Sequence, residues 1–507
     1  LSGLLLANLH GEGWEVIGGL MVKLTRPTSN NVVHNDSLLK EYLDTLKYQI
    51  DQYPVEVVFD EISDLRGYAG EVGKFYLIKE HTAGRGADGG GLFQCVQKQV
   101  ADDDGVWISS DRQGVVFMRV GHTKGVSISH FGGASERQDI DHTPILTKAQ
   151  THKGRTIYFD SGSYYFSPKC YIKGTTRLVG SGTASTHFRN KNLGADEGVW
   201  YFTDGTPEKW QEYTTVENID FSADRDSRPS QSAVVLNHLS LSYFINCTFW
   251  YTTIYGSDIH FITFQRCRFH NSMITVNEAK VSPSFPINEG LNLIDCYLVR
   301  CPLDITDLAD LRYIGTTQYY GEYGIKFTSH RPVSGHDVNG GYPILLSNSV
   351  IDNVDGYCLD LNRVALGMIT GCFFSGGRAS NTEALRLSDV LGLSFTGNVV
   401  HWSGQENMTF ANCKSVVLSN NQFSSANGYS IKLGHQCQNF AYSNNMFSTL
   451  QVQGGWGIYQ GGINFADDSS EAFTFSSNLF LQGKPALVGN VPSSYRAVGN
   501  IGLADKL

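Results

Sequence analysis

Residues 416–425 read "VVLSNNQFSS", and the phrase returns along the second half of the chain. It stands as "LSFTGNVVHW" at 393–402, "FAYSNNMFST" at 440–449 and "FTFSSNLFLQ" at 473–482. Aligned on Asn421, the equivalent positions are Cys247, Cys267, Cys296, Ser349, Cys372, Asn398, Asn445, Asn478 and Asn500. Their spacing centres on about 23 residues, a period that belongs to solenoids. The long gap from Cys296 to Ser349 counts as two coils, the extra one running through "GIKFTS" at 324–329.

A leucine-rich repeat would show a fixed Leu frame and a helical segment. Here each unit holds short alternating runs, such as Val416-Val417-Leu418 and Phe473-Thr474-Phe475, between turns rich in Gly, Asn and Ser. Three short strands per coil describe an all-β parallel β-helix. Asn at one site of successive coils would stack into a ladder, because a buried polar group left unpaired costs about 1–3 kcal/mol. Cys, small and readily buried, takes that site in four coils. Phe249, Phe269, Phe374, Phe423, Phe447 and Phe480, two positions further on, are expected to form an aromatic stack inside the tube.

Composition agrees with a sheet-rich chain: 507 residues with 54 Gly, 28 Phe and 25 Tyr, and only 17% charged. A net charge of −10 without a basic tract gives no footprint for nucleic acid. No apolar run reaches the roughly 18 residues of a membrane span. The ten Cys lack CxxC spacing, so neither a zinc site nor a disulfide framework is signalled, and no cofactor motif is present. Free thiols suit a chain made in a reducing cytoplasm.

Four regions are expected. Residues 1–62 form an N-terminal segment in which Leu39, Leu43, Leu46 and Ile50 mark one face of a short helix. Residues 63–125 form a small β-rich lead-in module, whose turn "HTAGRGADGGGLFQC" lacks the GKS/T of a phosphate loop. Residues 126–500 form the β-helix with its capping segment, and 501–507 a tail.

This order of parts resembles bacteriophage tailspikes. "SDLRGYAGEVGKFYLI", "GADGGGLFQCVQ" and "DDDGVWISS" within 63–110 are similar to the module that opens many of them. "VSISHFGGASERQDIDHTP" and "GRTIYFDSGSYYF" within 126–166 are similar to the cap of pectate-lyase-like β-helices. The resemblance spans roughly 63–500. It implies a right-handed β-helix, a homotrimer, and attachment to other virion tail proteins through the N-terminus. It also implies a virion protein that binds and cleaves a bacterial capsular or O-antigen polysaccharide, with no nucleic-acid or membrane partner.

Chemistry is sought on the outward columns. The triplets "ITV" 274–276, "LDI" 303–305, "IKF" 325–327, "LDL" 359–361, "LRL" 385–387 and "IKL" 431–433 carry apolar flanks, so each middle residue points outward. That column reads Thr275, Asp304, Lys326, Asp360, Arg386 and Lys432. Three positions on, a second reads Glu278, Asp307, Ser329, Arg363, Asp389 and His435. Coils stack at about 4.8 Å, which sets Asp304 and Asp360 roughly 9–10 Å apart, at the upper edge for an inverting glycosidase. Glu278 and Asp307 would sit near the roughly 5 Å of a retaining pair.

Asp304, Asp360, Asp307 and Glu278 are therefore the catalytic candidates. Lys326, Arg363, Tyr323, His330, Arg331 and Trp402 are the substrate-binding ones, supported by Tyr313, Tyr319 and Tyr320 and by His401 and Glu406. The same alternation also reads as a solvated salt-bridge ladder, each link worth about 0–1 kcal/mol. Three functions remain open: a glycoside hydrolase, a lyase using Lys326, His330 or a Tyr as base with Arg363 or Arg331 on a uronate, and a non-catalytic glycan adhesin.

Overall fold

Each corner of the repeat has one stereochemical demand, and the sequence meets it with a particular residue pair. The residue before each ladder position adopts a left-handed backbone: Asn246, Arg266, Asp295, Gly315, Asn348, Gly371, Gly397, Asn420, Asn444, Ser477 and Gly499 have φ between 49° and 67°. Gly and Asn reach that region at least cost, which is why the phrase so often reads Asn-Asn or Gly-Asn. The chain turns there, and the next side chain drops into the core.

The computed structural model describes residues 13–17, 20–24, 53–82, 89–123, 125–151, 156–182, 184–191, 199–203, 210–222, 233–277, 288–330, 343–379, 382–448, 459–467, 469–480 and 484–503. The helix expected around Leu39–Ile50 lies outside them, as does part of the glycine-rich turn. No described helix is long and apolar enough to cross a membrane. The chain divides into two units, residues 1–135 with 144–151, and residues 136–143 with 152–507.

In the first unit Val55–Phe59, Phe75–Ile78, Gly91–Gln97, Val115–Arg119 and Trp107–Ser109 form a five-stranded sheet. Its core is Ile62, Leu65, Tyr76, Phe93, Cys95, Ile108 and Phe117. The glycine-rich turn has a structural task. Buried Arg119 donates to the carbonyls of Gly89, Gly90 and Gly105 at 2.6–2.8 Å. The Asp102–Asp104 run is likewise internal: Asp102 pairs with Arg66 at 2.9 Å, and one Asp103 oxygen accepts three backbone N–H bonds.

The second unit is the expected solenoid, with three faces per coil. In one stretch the first face holds Leu391–Thr396, Lys414–Ser419 and Gln438–Ser443. The second holds Val399–Ser403, Gln422–Ala426 and Met446–Ser448, part of a 13-stranded sheet. The third holds Leu385–Ser388, Met408–Ala411 and Tyr429–Leu433. All pairings are parallel and in step, as in Leu393↔Val416↔Phe440.

The ladder is present and fully paired. Asn421 Nδ2 donates to Asn445 Oδ1 at 2.9 Å and to the Phe395 carbonyl at 2.8 Å, while Asn421 Oδ1 accepts from Asn398 N at 2.9 Å. Asn445 and Asn478 repeat the pattern. Cys296 Sγ donates to the Phe264 carbonyl at 3.2 Å, the same role with a weaker donor. Thr316, unassigned from sequence, is the ladder residue of the extra coil and donates to the Leu293 carbonyl at 3.2 Å.

The aromatic stack differs from the expectation. It forms two runs, Phe221–Phe249–Phe269 with centroids 5.2 and 4.9 Å apart and Phe423–Phe447–Phe480 at 5.3 and 4.6 Å. Leu298, Gln318, Ile351 and Val400 occupy the register between them, and Phe374 joins the second run only through Phe395 of the first face, at 6.1 Å and then 6.3 Å to Phe423. Buried Gln318 accepts from the hydroxyl of fully buried Tyr313 at 3.3 Å, so Tyr313 belongs to the core and not to a sugar surface.

Replacing Asn421 with Ala strands the Asn398 donors in the core. The expected loss is about 1–3 kcal/mol for each orphaned group, read as a lower guanidinium midpoint. Asn500→Ala, at the half-buried end of the ladder, should lose less.

Candidate functional site

The register places the outward column of the third face as Thr275↔Asp304↔Lys326↔Asp360↔Arg386↔Thr409↔Lys432. Thr409, from the triplet "MTF", is the member that the sequence reading passed over. Asp304 and Asp360 do lie two coils apart with Lys326 between them. Lys326 Nζ stands 4.0 Å from Asp304, a loose and solvated pair. Asp360 is held firmly: Arg386 grips both carboxylate oxygens, one at 2.9 Å, and its guanidinium lies 4.1 Å over the Tyr357 ring. Arg386 also donates to the Tyr357 hydroxyl at 2.7 Å. The Asp360 bond lifts the Arg386 pKa further above its ordinary value. Asp360 thus has its lone pairs committed, as the salt-ladder reading requires.

The second column is not uniformly outward: Asp307 and Ser329 are buried, Asp389 is half-buried, and Arg363 and His435 are exposed. Asp307 is fully buried, with φ +50° at the corner between third and first faces. Its Oδ1 accepts from the His330 N–H at 2.5 Å, and the exposed His330 ring lies 3.5 Å from Oδ2. Left-handed backbone at a corner does not fix burial; Asp307 is enclosed by its neighbours, which the three-position offset could not show. Arg363 occupies an equivalent corner at φ +58° but is exposed. Glu278 and Arg331 lie outside the described residues.

Tyr323 flanks the outward column. Burial pushes its hydroxyl up to about 12, with Asp304 and Glu322 adding to the shift. Trp402, at φ +61° on the corner between second and third faces, has the Arg378 guanidinium 5.7 Å from its ring. His401 faces Ser424 Oγ at 2.9 Å, and burial lowers its pKa.

That corner brings together two acids. Glu383 and Glu406 each precede a third-face strand by two residues, and those strands pair as Leu385↔Met408. The Ala384 N–H donates to the Glu406 carbonyl at 3.1 Å. The two carboxyls therefore project from adjacent coils at the same register position. Glu383 is half-buried; Glu406 is 6% exposed. Burial raises the Glu406 pKa, and the Glu383 charge adds to it while Lys432 opposes. Room for the Glu406 carboxyl comes from Gly428 on the next coil, where a Cβ would lie 3.3 Å from Oε1.

The two carboxyls differ in burial, and adjacent coils give about 4.8 Å of backbone separation between them. Sequence reasoning gave Glu406 only as a groove residue and passed over Glu383. The available signal was an acid two places before the strand triplet in both "TEALRL" and "QENMTF". No group of three or more His, Cys, Asp or Glu able to hold a metal occurs among the described residues.

Residues 335–499 match the family described as right handed beta helix region. No curated protein sequence matches the chain. Among solved structures, tailspike protein 3 of bacteriophage CBA120 superposes with a TM-score of 0.67 at 20% identity, over 78% of this chain and 65% of that one. The A-module of the Azotobacter vinelandii mannuronan C-5 epimerase AlgE6 gives 0.47 at 12%, over 75% and 100%. A tailspike of Acinetobacter baumannii bacteriophage Fri1, itself a capsular polysaccharide depolymerase, gives 0.42 at 15%, over 89% and 75%. The fold is thus a right-handed parallel β-helix, the one the resemblance implied, and the chain spans about two thirds of the first tailspike's length.

The raised Glu406 pKa has a stability consequence. The folded chain holds this proton at pH values where the unfolded chain has released it. Stability from this group therefore falls as pH rises from the ordinary carboxylate value through the raised one. Glu406→Gln should remove that fall and leave the variant more stable than the parent above the window, as measured by urea midpoints across mildly acidic to neutral pH.

Proposed function

We propose that the chain is the glycan-cleaving body of a bacteriophage tail protein, hydrolysing a bacterial capsular or O-antigen polysaccharide at the corner between its second and third faces. One observation carries this reading: a buried carboxyl of raised pKa, Glu406, one coil from the half-buried carboxyl Glu383. Burial favours the protonated form of Glu406, which gives its proton to the leaving glycosidic oxygen. Glu383 attacks or supports the anomeric carbon. Placement on adjacent coils, about 4.8 Å apart at the backbone, favours the close carboxyl pair of retaining glycosidases, which pass through a covalent glycosyl intermediate. Trp402 and Tyr357 offer ring faces to the sugar, and Lys432 faces the acid pair. Asp360 acts through Arg386, as a positioning residue. Asp304, Lys326 and Tyr323, further along the column, form an outer binding subsite.

Assembly belongs to the same proposal. Leu366, Met368 and Val417 stand 73%, 55% and 43% exposed on the first face, which supports packing of three copies along it. The ten buried free cysteines fit synthesis in a reducing host cytoplasm before incorporation into the virion tail.

Digestion of a panel of purified capsules and O-antigens should release reducing ends without the ultraviolet absorbance of unsaturated uronates. Glu406→Gln and Glu383→Gln should each lower kcat by about 10²–10⁴ while retaining binding; Asp304→Asn should mainly raise KM. Unsaturated products would replace hydrolysis with elimination. A glycan that is bound but never cut would make the chain an adhesin, and full activity in both Gln variants would move the chemistry elsewhere.

A further inference from the structure

The second face carries a surface that the cleavage corner does not use. Its short strands have an outward, inward, outward pattern, as in Arg268–His270 and Tyr297–Val299. On the outward positions the rings of Trp250 and His270 stack at 4.1 Å and 13°. His270 approaches Tyr297 at 6.2 Å, Tyr297 meets Tyr319 at 6.0 Å, and Tyr319 meets Tyr320 at 6.3 Å. Trp250, Tyr297 and Tyr320 are 37%, 42% and 47% exposed. The strip follows the solenoid axis over three coil steps, about 14 Å.

Charge along this strip runs against the charge of the chain. Arg266, Arg268 and Arg300 are all exposed, and none has an ion pair among the described residues. Arg268 shares a strand with His270 and pairs in register with Tyr297; the Arg300 N–H donates to the Tyr319 carbonyl at 2.9 Å. On the strip's margins Asp220 is buried and accepts from the Ala184 N–H at 3.0 Å, while Asp352 bonds Asn353 at 3.0 Å. Exposed Asp295 stands against the three guanidiniums. Burial lowers the His270 pKa, with Arg268 adding to the effect, so its ring is neutral at physiological pH and stacks as an uncharged plane.

A protein with net charge −10 has no general reason to leave three guanidiniums unpaired beside a row of open rings. Ring faces suit the C–H faces of pyranoses, and guanidinium forks suit carboxylates. The first face exposes Leu366, Met368 and Val417 together with scattered rings and charges such as Tyr243, Arg312 and Lys414, without a comparable run of stacked rings. We propose that the Trp250–His270–Tyr297–Tyr319–Tyr320 strip, with Arg266, Arg268 and Arg300, is a non-catalytic platform for an acidic, uronate-bearing polysaccharide. It holds uncut polymer while the Glu383–Glu406 corner cuts. The substrate class assigned here rests on the hydrolase reading; the platform itself does not need it.

The test is biolayer interferometry of the full chain carrying Glu406→Gln, on an immobilised panel of purified neutral and uronate-bearing capsular polysaccharides. Retention is expected on uronate-bearing members alone. Adding Trp250→Ala with Tyr297→Ala should weaken it about tenfold or more. Arg268→Gln with Arg300→Gln should weaken it and flatten its dependence on salt. In the parent background the same pairs should leave cleavage of short oligosaccharides unchanged. The platform is overturned if the aromatic pair binds polymer as the parent does, if only neutral members or none are retained, or if that variant changes oligomeric state by sedimentation, which would make the strip an interface between copies. Absent cleavage with platform binding intact counts against the corner mechanism alone.

Discussion

One local constraint carries the solenoid: a left-handed residue that turns the chain, followed by a small polar or thiol side chain that donates to a carbonyl of the coil before it. Asn421 illustrates it, with Asn420 at φ +56° ahead of it and the Phe395 carbonyl 2.8 Å from its amide. The turn alone would leave a backbone corner unsatisfied inside the core, and the amide alone would have no reason to point inward. Together they return each strand one coil higher in the same register. The hydrogen bonds that make this pairing obligatory are buried, where leaving one unmade is most costly.

Regular register is what turns a structural repeat into a chemical surface. Residues at equivalent places in successive coils stand at a fixed spacing, so distances between functional groups come from coil number and not from loop conformation. Glu383 and Glu406 are one coil apart for that reason, and Asp304 and Asp360 two. What differs between these acids is environment. Asp360 meets an arginine and becomes a strut, Asp304 meets solvent, and Glu406 meets a corner opened by Gly428, where burial raises its pKa.

The three faces divide the surface by chemistry. The third presents alternating acids and bases, the second a run of rings with guanidiniums, and the first a mixture in which Leu366 and Met368 stand exposed beside charged residues such as Arg312 and Lys414. An overall charge of −10 conceals this division, because the cations on the second face are outnumbered along the chain but not where they stand.

Fold and outward column were legible in the sequence because both follow from periodicity. The position of Asn421 repeats, and so does the alternation of Leu359, Asp360 and Leu361. Even the omissions were local: Thr316 and Thr409 lack the letters of their neighbours yet fill the same places. What tertiary structure alone decided was direction and burial at the corners. Asp307 looked outward by offset from Asp304 but is buried at its corner, while Arg363 at an equivalent corner with the same left-handed backbone is exposed. Glu406 read as a groove residue beside His401 and Trp402, but the stacking of the next coil's glycine against its carboxyl buries it. Periodicity reports which residues share a column; whether a charge in that column is solvated, paired or buried depends on side chains from coils some 20 to 30 residues away, brought together only when the coils stack.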